Sequence, residues 1–455
     1  MATTPSFWLD QLGSRPSRPR LAADRDADVC IIGGGFTGLW TAYELKRADP
    51  SLVVVVLEAH QVGFGASGRN GGWVLGKLSG TADAWRARGG PDAPRTMVRA
   101  IQQTVEEVAA VVALEHIDCD FKHGGTVTVA QSETQMQRLR ETVEAERRDL
   151  GEDLAWELLD ADAIGARINV DGARGAMFTP HCARVQPARL VDGLAAAAER
   201  AGATIHEDTR VRTVEPGLAV TKGANVRARY ILRATEGYTA DMAGEHRALL
   251  PMNSSMIVTE PLPAAEWERI GWDGAETMLD GSHLYTYSQR TADGRIAIGG
   301  RGVPYRFGSR TDREGPVPDR TIHELRARLI SLFPSLAGVR VERAWHGVLG
   351  VSRDWCPTVG LDPVTGLGYA GGYAGEGVAA SNLAARTLRD LVLGRETDLT
   401  RLPWVGNPPR NWEPEPLRFV GARGIYTLYR LADRQERIRH HESRIAGLAN
   451  KIAGR

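Results

Sequence analysis

The first strongly apolar run of the chain, residues 29–32, leads directly into a glycine-rich turn and a helical pattern. A short uninterrupted apolar run is typical of a strand that is buried on both faces of a parallel sheet. The helical pattern covers residues 37–48 and ends at Asp49-Pro50, and a second buried run at residues 52–57 ends at Glu58. Strand, helix and strand in this order predict a parallel βαβ unit.

The turn after the first strand has the spacing Gly33-x-Gly35-x-x-Gly38, which is typical of dinucleotide-binding βαβ units. Gly33 permits the tight turn, Gly35 lets a pyrophosphate approach the backbone, and Gly38 lets the helix pack closely on the strand. The N-terminus of the helix then faces the anion. Glu58 follows Gly38 by twenty residues, where a carboxylate accepts hydrogen bonds from ribose hydroxyls.

Patterns along the rest of the chain predict further elements of both kinds. Residues 121–130 predict a hairpin around Gly124-Gly125. Helical spacing occurs at residues 94–116, 132–150, 188–201, 319–333 and 378–393. Short strands are predicted at residues 204–206, 210–214, 218–221 and 226–232, and through them the chain is expected to rejoin the first sheet.

These elements predict an α/β plus α+β fold with two domains and a tail. A discontinuous Rossmann-like domain is expected from residues 1–80, 160–245 and 340–400. A second domain with an antiparallel sheet, which would bind the substrate, is expected from residues 81–159 and 246–339. The C-terminal tail, residues 401–455, carries an Arg-rich helix over residues 417–454. This helix is compatible with three roles: packing on the same chain, contact within an oligomer, and contact with a membrane surface.

Composition narrows the classes of partner. The 455 residues exceed one ordinary core, and Lys plus Arg (56) equal Asp plus Glu (56), so no nucleic-acid partner is expected. Four scattered cysteines without a CxxC motif indicate a reduced, cytoplasmic protein, and we predict no metal site. His440-His441 with Glu442 lies on the charged tail helix, which favours a solvated face over a metal cluster. No apolar run is long enough to cross a bilayer.

Two further glycine-rich segments have the character of ligand-binding backbone. The run Gly65-Ala66-Ser67-Gly68-Arg69-Asn70-Gly71-Gly72 is dense in small residues, which suits backbone wrapped around a ligand. The alternative is a flexible linker, in which Phe64 and Trp73 would be poorly placed. Residues 366–378 again show a strand, a glycine loop and the start of a helix.

With these segments the chain resembles the D-amino-acid oxidase/glycine oxidase/sarcosine oxidase superfamily of flavoproteins. The matching motifs are residues 29–38 with Glu58, residues 65–72, Ala234-Thr235-Glu236-Gly237-Tyr238 and residues 371–377. The GASGRNGG run and the N-terminal lead look most like γ-glutamylputrescine oxidase-type enzymes. The resemblance covers roughly residues 5–400 and implies FAD as the cofactor.

The resemblance also implies how FAD lies. Its adenosine end would be held by Glu58, its pyrophosphate by residues 33–38, and its ring would be bordered by residues 67–72 with residues 372–378 beneath. A helix N-terminus at Gly377 would stabilise negative charge on the ring. The cofactor-binding residues expected are Gly33, Gly35, Phe36, Thr37, Gly38, Glu58, Ala59, Gly65, Ala66, Ser67, Arg69, Asn70, Gly71, Gly72, Val211, Ala234, Thr235, Gly237, Gly347, Gly372, Tyr373, Gly375, Glu376, Gly377 and Val378.

Four positions depart from the pattern of the superfamily. Leu349 stands where the amino-acid oxidases carry an Arg that holds the substrate carboxylate, and Ala379 stands where sarcosine oxidases carry a Lys. An amine, or an amino acid held at a different point, is therefore favoured over a free α-amino acid. Cys356 lies away from the Cys that binds flavin covalently in sarcosine oxidases, so non-covalent FAD is expected. Ala297 stands near the position of the oxygen-activating Lys of sarcosine oxidases. Both an oxidase and a dehydrogenase are therefore compatible with the sequence.

Oxidation of an amine by flavin needs a neutral amine and a pocket that excludes water, and burial alone lowers an amine pKa. Aromatic walls suit this task, and Tyr285 and Tyr287 share one face of the predicted strand at residues 284–288. His283 on the same face and His346 beside Gly347 are the other catalytic candidates. For each, the alternative is an ordinary structural side chain. Arg69 is either a ligand contact or solvated, and Glu376 either binds a cationic amine or interacts with the helix dipole.

The function expected from the resemblance is an FAD-dependent oxidoreductase for CH–NH or CH–NH2 groups of a small amine or amino acid. The electrons would pass to O2, which would give H2O2, and an oligomer is compatible with the sequence. One alternative is a dehydrogenase that passes electrons to a quinone or protein carrier, for which the basic tail helix would supply the docking surface. Another is a non-enzymatic FAD-binding module, in which no amine would bleach the flavin.

Overall fold

The structure, a computed structural model, describes residues 5–300, 305–311, 317–439 and 441–454. His440, on which the interpretation of the histidine pair rests, lies outside these residues. The strands are β1 (Arg25–Ile32), β2 (Val54–Leu57), β3 (Trp73–Leu75), β4 (Lys122–His123), β5 (Thr126–Ala130), β6 (Glu157–Leu159), β7 (Gly175–Thr179), β8 (Cys182–Arg184), β9 (Thr204–His206), β10 (Thr213–Glu215), β11 (Leu218–Val220), β12 (Asn225–Arg233), β13 (Leu250–Thr259), β14 (Thr277–Asp280), β15 (Tyr287–Arg290), β16 (Ile296–Gly300), β17 (Val341–Val351), β18 (Thr358–Leu361) and β19 (Leu367–Gly371).

The helices connect and cover these strands. They are α1 (Phe7–Asp10), α2 (Phe36–Ala48), α3 (Ala82–Gly89), α4 (Ala93–Leu114), α5 (Glu133–Leu150), α6 (Ala161–Gly165), α7 (Pro187–Arg200), α8 (Ala264–Ile270), α9 (Asp319–Leu332), α10 (Gly377–Val392), α11 (Leu417–Arg439) and α12 (Arg444–Ala453). The described helices include none that is long and apolar enough to cross a membrane.

The first sheet is built on the predicted βαβ unit. Strand β1 lies between β2 and β12, parallel to both, and β2 pairs in parallel with β9. Strand β12 pairs with β11 along its first half and in parallel with β19 along its second half. Helices α2, α4, α7 and α10 bury this sheet in the largest apolar core. The α/β part of the predicted fold is therefore confirmed, and it is assembled from separated pieces of the chain.

The second sheet has the order β17-β13-β16-β15-β14-β5-β7-β6 and is antiparallel except between β14 and β5. Helices α8 and α9 cover it over a separate apolar core. Strands β6, β7 and β17 lie in this sheet, so it takes residues on both sides of the boundaries predicted at residues 160 and 340. Strands β3, β8 and β4 form a small third sheet. It contacts α4 and α10 through β3 and the second sheet through β8 and β14.

Two local predictions were wrong. Residues 121–130 do not form a hairpin, because β4 pairs with β8 whereas β5 pairs with β7 and β14. The tail helix is divided into α11 and α12, and the Ser443 hydroxyl accepts the Ile445 N–H at the start of α12. The tail packs on the chain itself, where Trp355 Nε1 donates to the Ala453 carbonyl at 2.9 Å.

Candidate active site

One large cavity opens where the carboxyl ends of β1, β2 and β12 face the second sheet. Its volume is about 850 Å³, and its lining includes Ile32 and Leu57 from the first sheet and Met177 and Tyr287 from the second. In open α/β sheets ligands bind at the carboxyl ends of the strands. This position therefore makes the cavity the candidate site for both cofactor and substrate.

The glycine turn at one end of the cavity is packed too tightly for side chains. Gly33 has φ +113°, and a Cβ there would lie 2.5 Å from the Ala234 carbonyl oxygen. A Cβ at Gly38 would overlap the Gly33 carbonyl oxygen. Gly35 caps α2 without a side chain, so the first N–H groups of the helix are left to the cavity and to Ser67, whose Oγ accepts the Phe36 N–H at 2.8 Å.

Glu58 closes this end of the cavity. Its Oε2 accepts the Gly34 N–H at 2.7 Å and its Oε1 accepts the His60 N–H at 2.8 Å. Burial raises the pKa of the Glu58 carboxyl, and these two N–H groups oppose the rise. Each carboxylate oxygen retains a lone pair for a further donor. A ribose with two hydroxyls fits such an acceptor.

The loop at residues 65–72 is held from behind by the N-terminal helix. The Ser6 hydroxyl donates to the Gly68 carbonyl at 2.6 Å, and Trp8 Nε1 donates to the Asn70 carbonyl at 2.9 Å. Trp345 Nε1 donates to the Arg69 carbonyl at 2.9 Å. These bonds explain why an irregular, glycine-rich loop has a defined course, because three of its carbonyls accept hydrogen bonds from Ser6, Trp8 and Trp345.

Arg69 is buried and belongs to the frame of the site. Its Nε donates to the Phe64 carbonyl at 2.6 Å, its Nη1 donates to the His346 carbonyl at 3.2 Å, and its guanidinium lies 4.5 Å from the centroid of the Phe64 ring. His346 is buried as well, and Gly347 rather than its imidazole lines the cavity.

The second glycine loop meets the cavity at the start of α10. The Tyr373 hydroxyl lies 3.0 Å from Thr37 Oγ1, which joins this loop to α2. The Ser79 hydroxyl donates to a Glu376 carboxylate oxygen at 3.1 Å. Glu376 precedes the helix without a side-chain cap, so the first backbone N–H groups of α10 also point at the cavity. The N-termini of α2 and α10 thus face one space, and neither receives a side-chain cap from its own N-cap residue.

Glu236 is a residue of the site that sequence analysis passed over. Its carboxylate accepts N–H groups from Gly350 at 3.0 Å, Gly372 at 2.8 Å and Tyr373 at 3.3 Å. Burial raises the pKa of the Glu236 carboxyl to about 7, although the three N–H groups lower it. An acidic residue in a turn directly after a buried strand was the available signal, within a motif already singled out.

The structure brings most of the predicted cofactor residues to this cavity. Four of them, Gly38, Gly72, Gly237 and Gly372, lie behind the lining, where they allow close packing of backbone. The predicted residues that line the cavity are Gly33, Gly35, Phe36, Thr37, Glu58, Ala59, Gly65, Ala66, Ser67, Arg69, Asn70, Gly71, Val211, Ala234, Thr235, Gly347, Tyr373, Gly375, Glu376, Gly377 and Val378.

Tyr285 and Tyr287, which were predicted as catalytic candidates, line the same cavity. Strand β15 begins only at Tyr287, so Tyr285 lies in the loop that precedes the strand. The Tyr287 hydroxyl lies 2.9 Å from Ser254 Oγ, and its ring meets the Trp73 ring edge-on at a centroid distance of 6.2 Å. The two tyrosines therefore form an aromatic wall.

His283 lies outside the lining of this cavity and faces the tail. Its Nε2 lies 2.8 Å from a Glu436 carboxylate oxygen and 2.9 Å from Arg138 Nη1, while Asp433 accepts its backbone N–H at 2.8 Å. His283, Asp433 and Glu436 could together ligate a cation by their spacing. Arg138 already supplies the positive charge there, so the cluster is better described as a latch between α11 and the second sheet.

The four departures from the superfamily pattern have clear positions. Leu349 lines the cavity, Ala379 is buried in the first turn of α10, and Ala297 is packed in a small core with Trp345. Cys356 is buried in the largest core, and burial raises the pKa of its thiol to about 12.

The site has the features of a dinucleotide-binding protein. They are the glycine turn after β1, Glu58 after β2, and the N-termini of α2 and α10. Tyr285 and Tyr287 form an aromatic wall in the same cavity. These residues fit FAD chemically, because backbone N–H donors at helix N-termini suit its phosphates and ring, and a buried carboxylate suits the hydroxyls of its ribose.

Comparison with known proteins agrees with this class. The pattern of the FAD dependent oxidoreductase (DAO) family matches residues 28–391, and the chain belongs to that family. It is 31% identical over 423 residues to gamma-glutamylputrescine oxidoreductase of Escherichia coli (strain K12), which covers 90% of this chain and 93% of the relative. The resemblance inferred from the motifs is therefore confirmed at the level of the family.

Solved structures of similar proteins share the fold. Glycine oxidase from Geobacillus kaustophilus matches with a TM-score of 0.68 and 21% identity over 82% of this chain and 96% of its own. L-proline dehydrogenase from P. horikoshii matches with a TM-score of 0.68 and 18% identity over 84% of this chain and 98% of its own. At these identities the matches show the architecture and leave the substrate to other arguments.

Proposed function

We propose that this chain is an FAD-dependent amine or amino-acid oxidase. The observation that supports this proposal is that the dinucleotide-binding turns and the aromatic chamber line a single cavity. FAD held by the glycine turns and by Glu58 would supply a hydride acceptor for the substrate carbon next to nitrogen. Hydrolysis of the imine would give the carbonyl product, and transfer of the two electrons with two protons to O2 would give H2O2.

The side chains of the chamber have roles in this reaction that follow from their positions. Tyr285, Tyr287 and Trp73 exclude water from the amine, which favours the neutral form that can lose hydride. The bond between Tyr287 and Ser254 fixes the orientation of that ring. Glu376, held by Ser79, offers a carboxylate to a cationic amine on its way into the chamber. The N-terminus of α10 would stabilise negative charge on the reduced flavin ring.

FAD is proposed to bind non-covalently. The four cysteines, Cys30, Cys119, Cys182 and Cys356, are buried, and none of them lines the cavity. Their thiols all have pKa values raised to about 12 by burial, which leaves no thiolate to attack the flavin ring.

A dehydrogenase is the second candidate, and the outer face of α11 favours it. Leu431 is 46% exposed and Ile438 is 65% exposed, and they lie among exposed arginines at positions 430, 434 and 437. A basic face with apolar side chains would suit an electron carrier or quinone-bearing partner.

An anaerobic titration tests the proposal and separates the two candidates. The yellow protein would be mixed with primary, secondary and acylated amines and with α-amino acids, and flavin absorbance would be followed before and after air is admitted. We expect bleaching by amines and rapid recovery in air with H2O2. Bleaching with slow recovery would indicate the dehydrogenase, and no bleaching by any amine or amino acid would contradict both.

A further inference from the structure

The loop that carries Tyr285 connects β14 to β15, and the tail of the chain holds it at its centre. Asp433 of α11 accepts the His283 N–H on Oδ1 at 2.8 Å and the Leu284 N–H on Oδ2 at 3.1 Å. Both oxygens of one carboxylate are thus bonded to the backbone directly before Tyr285. Since bonds to an ionised acceptor are the stronger hydrogen bonds in proteins, this contact fixes the course of the loop.

The ends of the same loop are held within the second sheet. Asp280, the last residue of β14, accepts the Ser282 N–H at 2.9 Å and the Thr286 N–H at 2.9 Å. Arg138 Nη2 donates to the Gly281 carbonyl at 2.7 Å. The ends of the loop are therefore anchored next to its own strands, whereas its centre is anchored on α11.

Tyr285 lies in a wall that two cavities share. It lines the candidate active-site cavity, and it also lines a second cavity of about 750 Å³ between the second sheet and the tail. Leu325 of α9 and Tyr426 of α11 belong to the lining of this second cavity. Close packing holds side chains in a core, but Tyr285 has a cavity on each side. The position of its ring therefore depends on the backbone that carries it.

The helix that supplies Asp433 is itself held in place. The His283 ring stacks on the Tyr429 ring at a centroid distance of 6.1 Å and an angle of 12°. The Tyr429 hydroxyl donates to Asn450 Oδ1 of α12 at 2.7 Å, and Glu436 Oε1 accepts the Ser443 N–H at 3.2 Å. These contacts give α11 and α12 a fixed position from which a carboxylate can direct the loop.

We propose that Asp433 is a positioning residue of the active site: it fixes Tyr285 in the aromatic wall and thereby sets the affinity for the substrate amine. This inference rests on the proposed function. Asp433 lines the second cavity and not the first, so it acts through Tyr285. The pattern of the family ends at residue 391, and a segment beyond that pattern thus completes the wall of the proposed substrate site.

The substitution Asp433→Asn tests this role with little change of shape. One acceptor remains, but the amide nitrogen is a donor and would face a backbone N–H. The probe is n-butylamine, a primary amine whose apolar chain would contact the wall. In anaerobic reduction of the flavin, its Kd is expected to rise about 10-fold in Asp433→Asn, and the limiting reduction rate stays unchanged. Asp433→Glu, which keeps both acceptors, should restore most of the affinity.

A double-mutant cycle shows whether Asp433 acts through Tyr285. Tyr285→Ala removes the ring from the wall and should raise the Kd of n-butylamine about 30-fold. In that background Asp433→Asn should raise the Kd no further, because the ring that it positions is already absent. Glu442→Gln, at an exposed carboxylate of the tail, is the matched control and should leave the Kd unchanged.

A second measurement follows the loop without a substrate. The native cysteines are buried, so in the holoenzyme of Tyr285→Cys the introduced thiol is the one expected to react with N-ethylmaleimide. Addition of Asp433→Asn should increase its rate of labelling about 10-fold, since the loop loses one of its two bonds to α11. The native thiols should stay unlabelled in both proteins.

The outcomes separate this inference from the proposed function. An unchanged Kd in Asp433→Asn would overturn the positioning role while an amine oxidase remained. Additive effects of Asp433→Asn and Tyr285→Ala, or labelling of the native cysteines, would show a general loss of structure and would also overturn it. If n-butylamine does not bleach the flavin, the labelling decides: a faster reaction at position 285 alone supports the role, and equal rates refute it.

Discussion

The carboxylate of Glu236 accepts the backbone N–H of Gly372 at 2.8 Å and so ties the turn after β12 to the loop before α10. Bonds from Gly350 and Tyr373 to the same carboxylate complete the junction of three chain segments. Each of these segments contributes residues to the cavity lining. The shape of the proposed flavin site therefore depends on one acidic side chain that has no cation as a partner in any described ion pair.

This arrangement predicts a pH-dependent stability. The Glu236 pKa is about 7 in the folded chain against 4.5 ordinarily, so the folded state binds the proton more tightly. The contribution is fully present below the ordinary pKa and is lost as pH rises through about 7. Between pH 5 and pH 8 the wild type should lose up to about 3 kcal/mol of unfolding free energy relative to Glu236→Gln. Urea unfolding of both proteins at each pH measures this difference, and parallel pH profiles would contradict the assignment.

Glu58 is expected to determine the affinity for FAD. Glu58→Ala removes the acceptor for the ribose and also releases the N–H groups of Gly34 and His60. Hydrogen bonds to a charged acceptor contribute about 1.5–3 kcal/mol, so the Kd for FAD should rise about 10- to 100-fold. Fluorescence quenching of FAD added to the apoprotein measures it. Glu215→Gln, on an exposed position of β10, is the control, and an equal Kd for both variants would refute the role of Glu58.

The contact between α2 and β1 should not tolerate a methyl group. In Gly38→Ala the new Cβ would overlap the Gly33 carbonyl, and relief of that overlap should destabilise the fold by about 1–3 kcal/mol. We expect a lower Tm and less bound FAD after purification. Gly165→Ala, at the end of α6 in open space, should change stability by no more than about 0.5 kcal/mol.

The latch between α11 and the second sheet should be lost in acid. Burial would raise the Glu436 pKa, but the hydrogen bond from His283 and the charge of Arg138 lower it to about 2. A lowered carboxyl pKa stabilises the fold above the ordinary value of 4.5 and ceases to do so as pH falls toward about 2. Glu436→Gln should therefore lose about 3 kcal/mol near neutral pH and little near pH 2.

A matched variant controls for the loss of a surface charge. Glu133 pairs with Arg140 on α5 but is 72% exposed, so Glu133→Gln should change the unfolding free energy by no more than about 0.5 kcal/mol. Urea unfolding near pH 7 compares the two substitutions. Equal effects would show that the latch contributes nothing specific.

The flavin should be released intact by denaturation. Precipitation of the holoenzyme with acid is expected to leave all of the yellow colour in the supernatant, because the buried thiols do not line the cavity. Mass spectrometry of the protein should give the mass of the polypeptide alone. Flavin retained in the pellet, or a protein mass increased by that of the cofactor, would contradict non-covalent binding.

Local chemistry made much of the site predictable. The Gly33-x-Gly35-x-x-Gly38 turn and Glu58 are close in sequence, and their geometry follows from one βαβ unit whose handedness and spacing are general. Helix boundaries such as Phe36–Ala48 followed from periodicity within a residue. The hairpin predicted at residues 121–130 was wrong because strand partners distant in sequence competed for β4 and β5.

The sequence by itself determined the dinucleotide turn, the acidic residue after β2, the second glycine loop and the family to which they point. Only the tertiary structure decided that Asp433 holds the loop before Tyr285, that Glu236 joins three loops and that His283 turns toward Glu436. These relations join residues 150, 136 and 153 positions apart. Their energies depend on burial and on partners brought together by the packing of two sheets, which no local pattern of residues encodes.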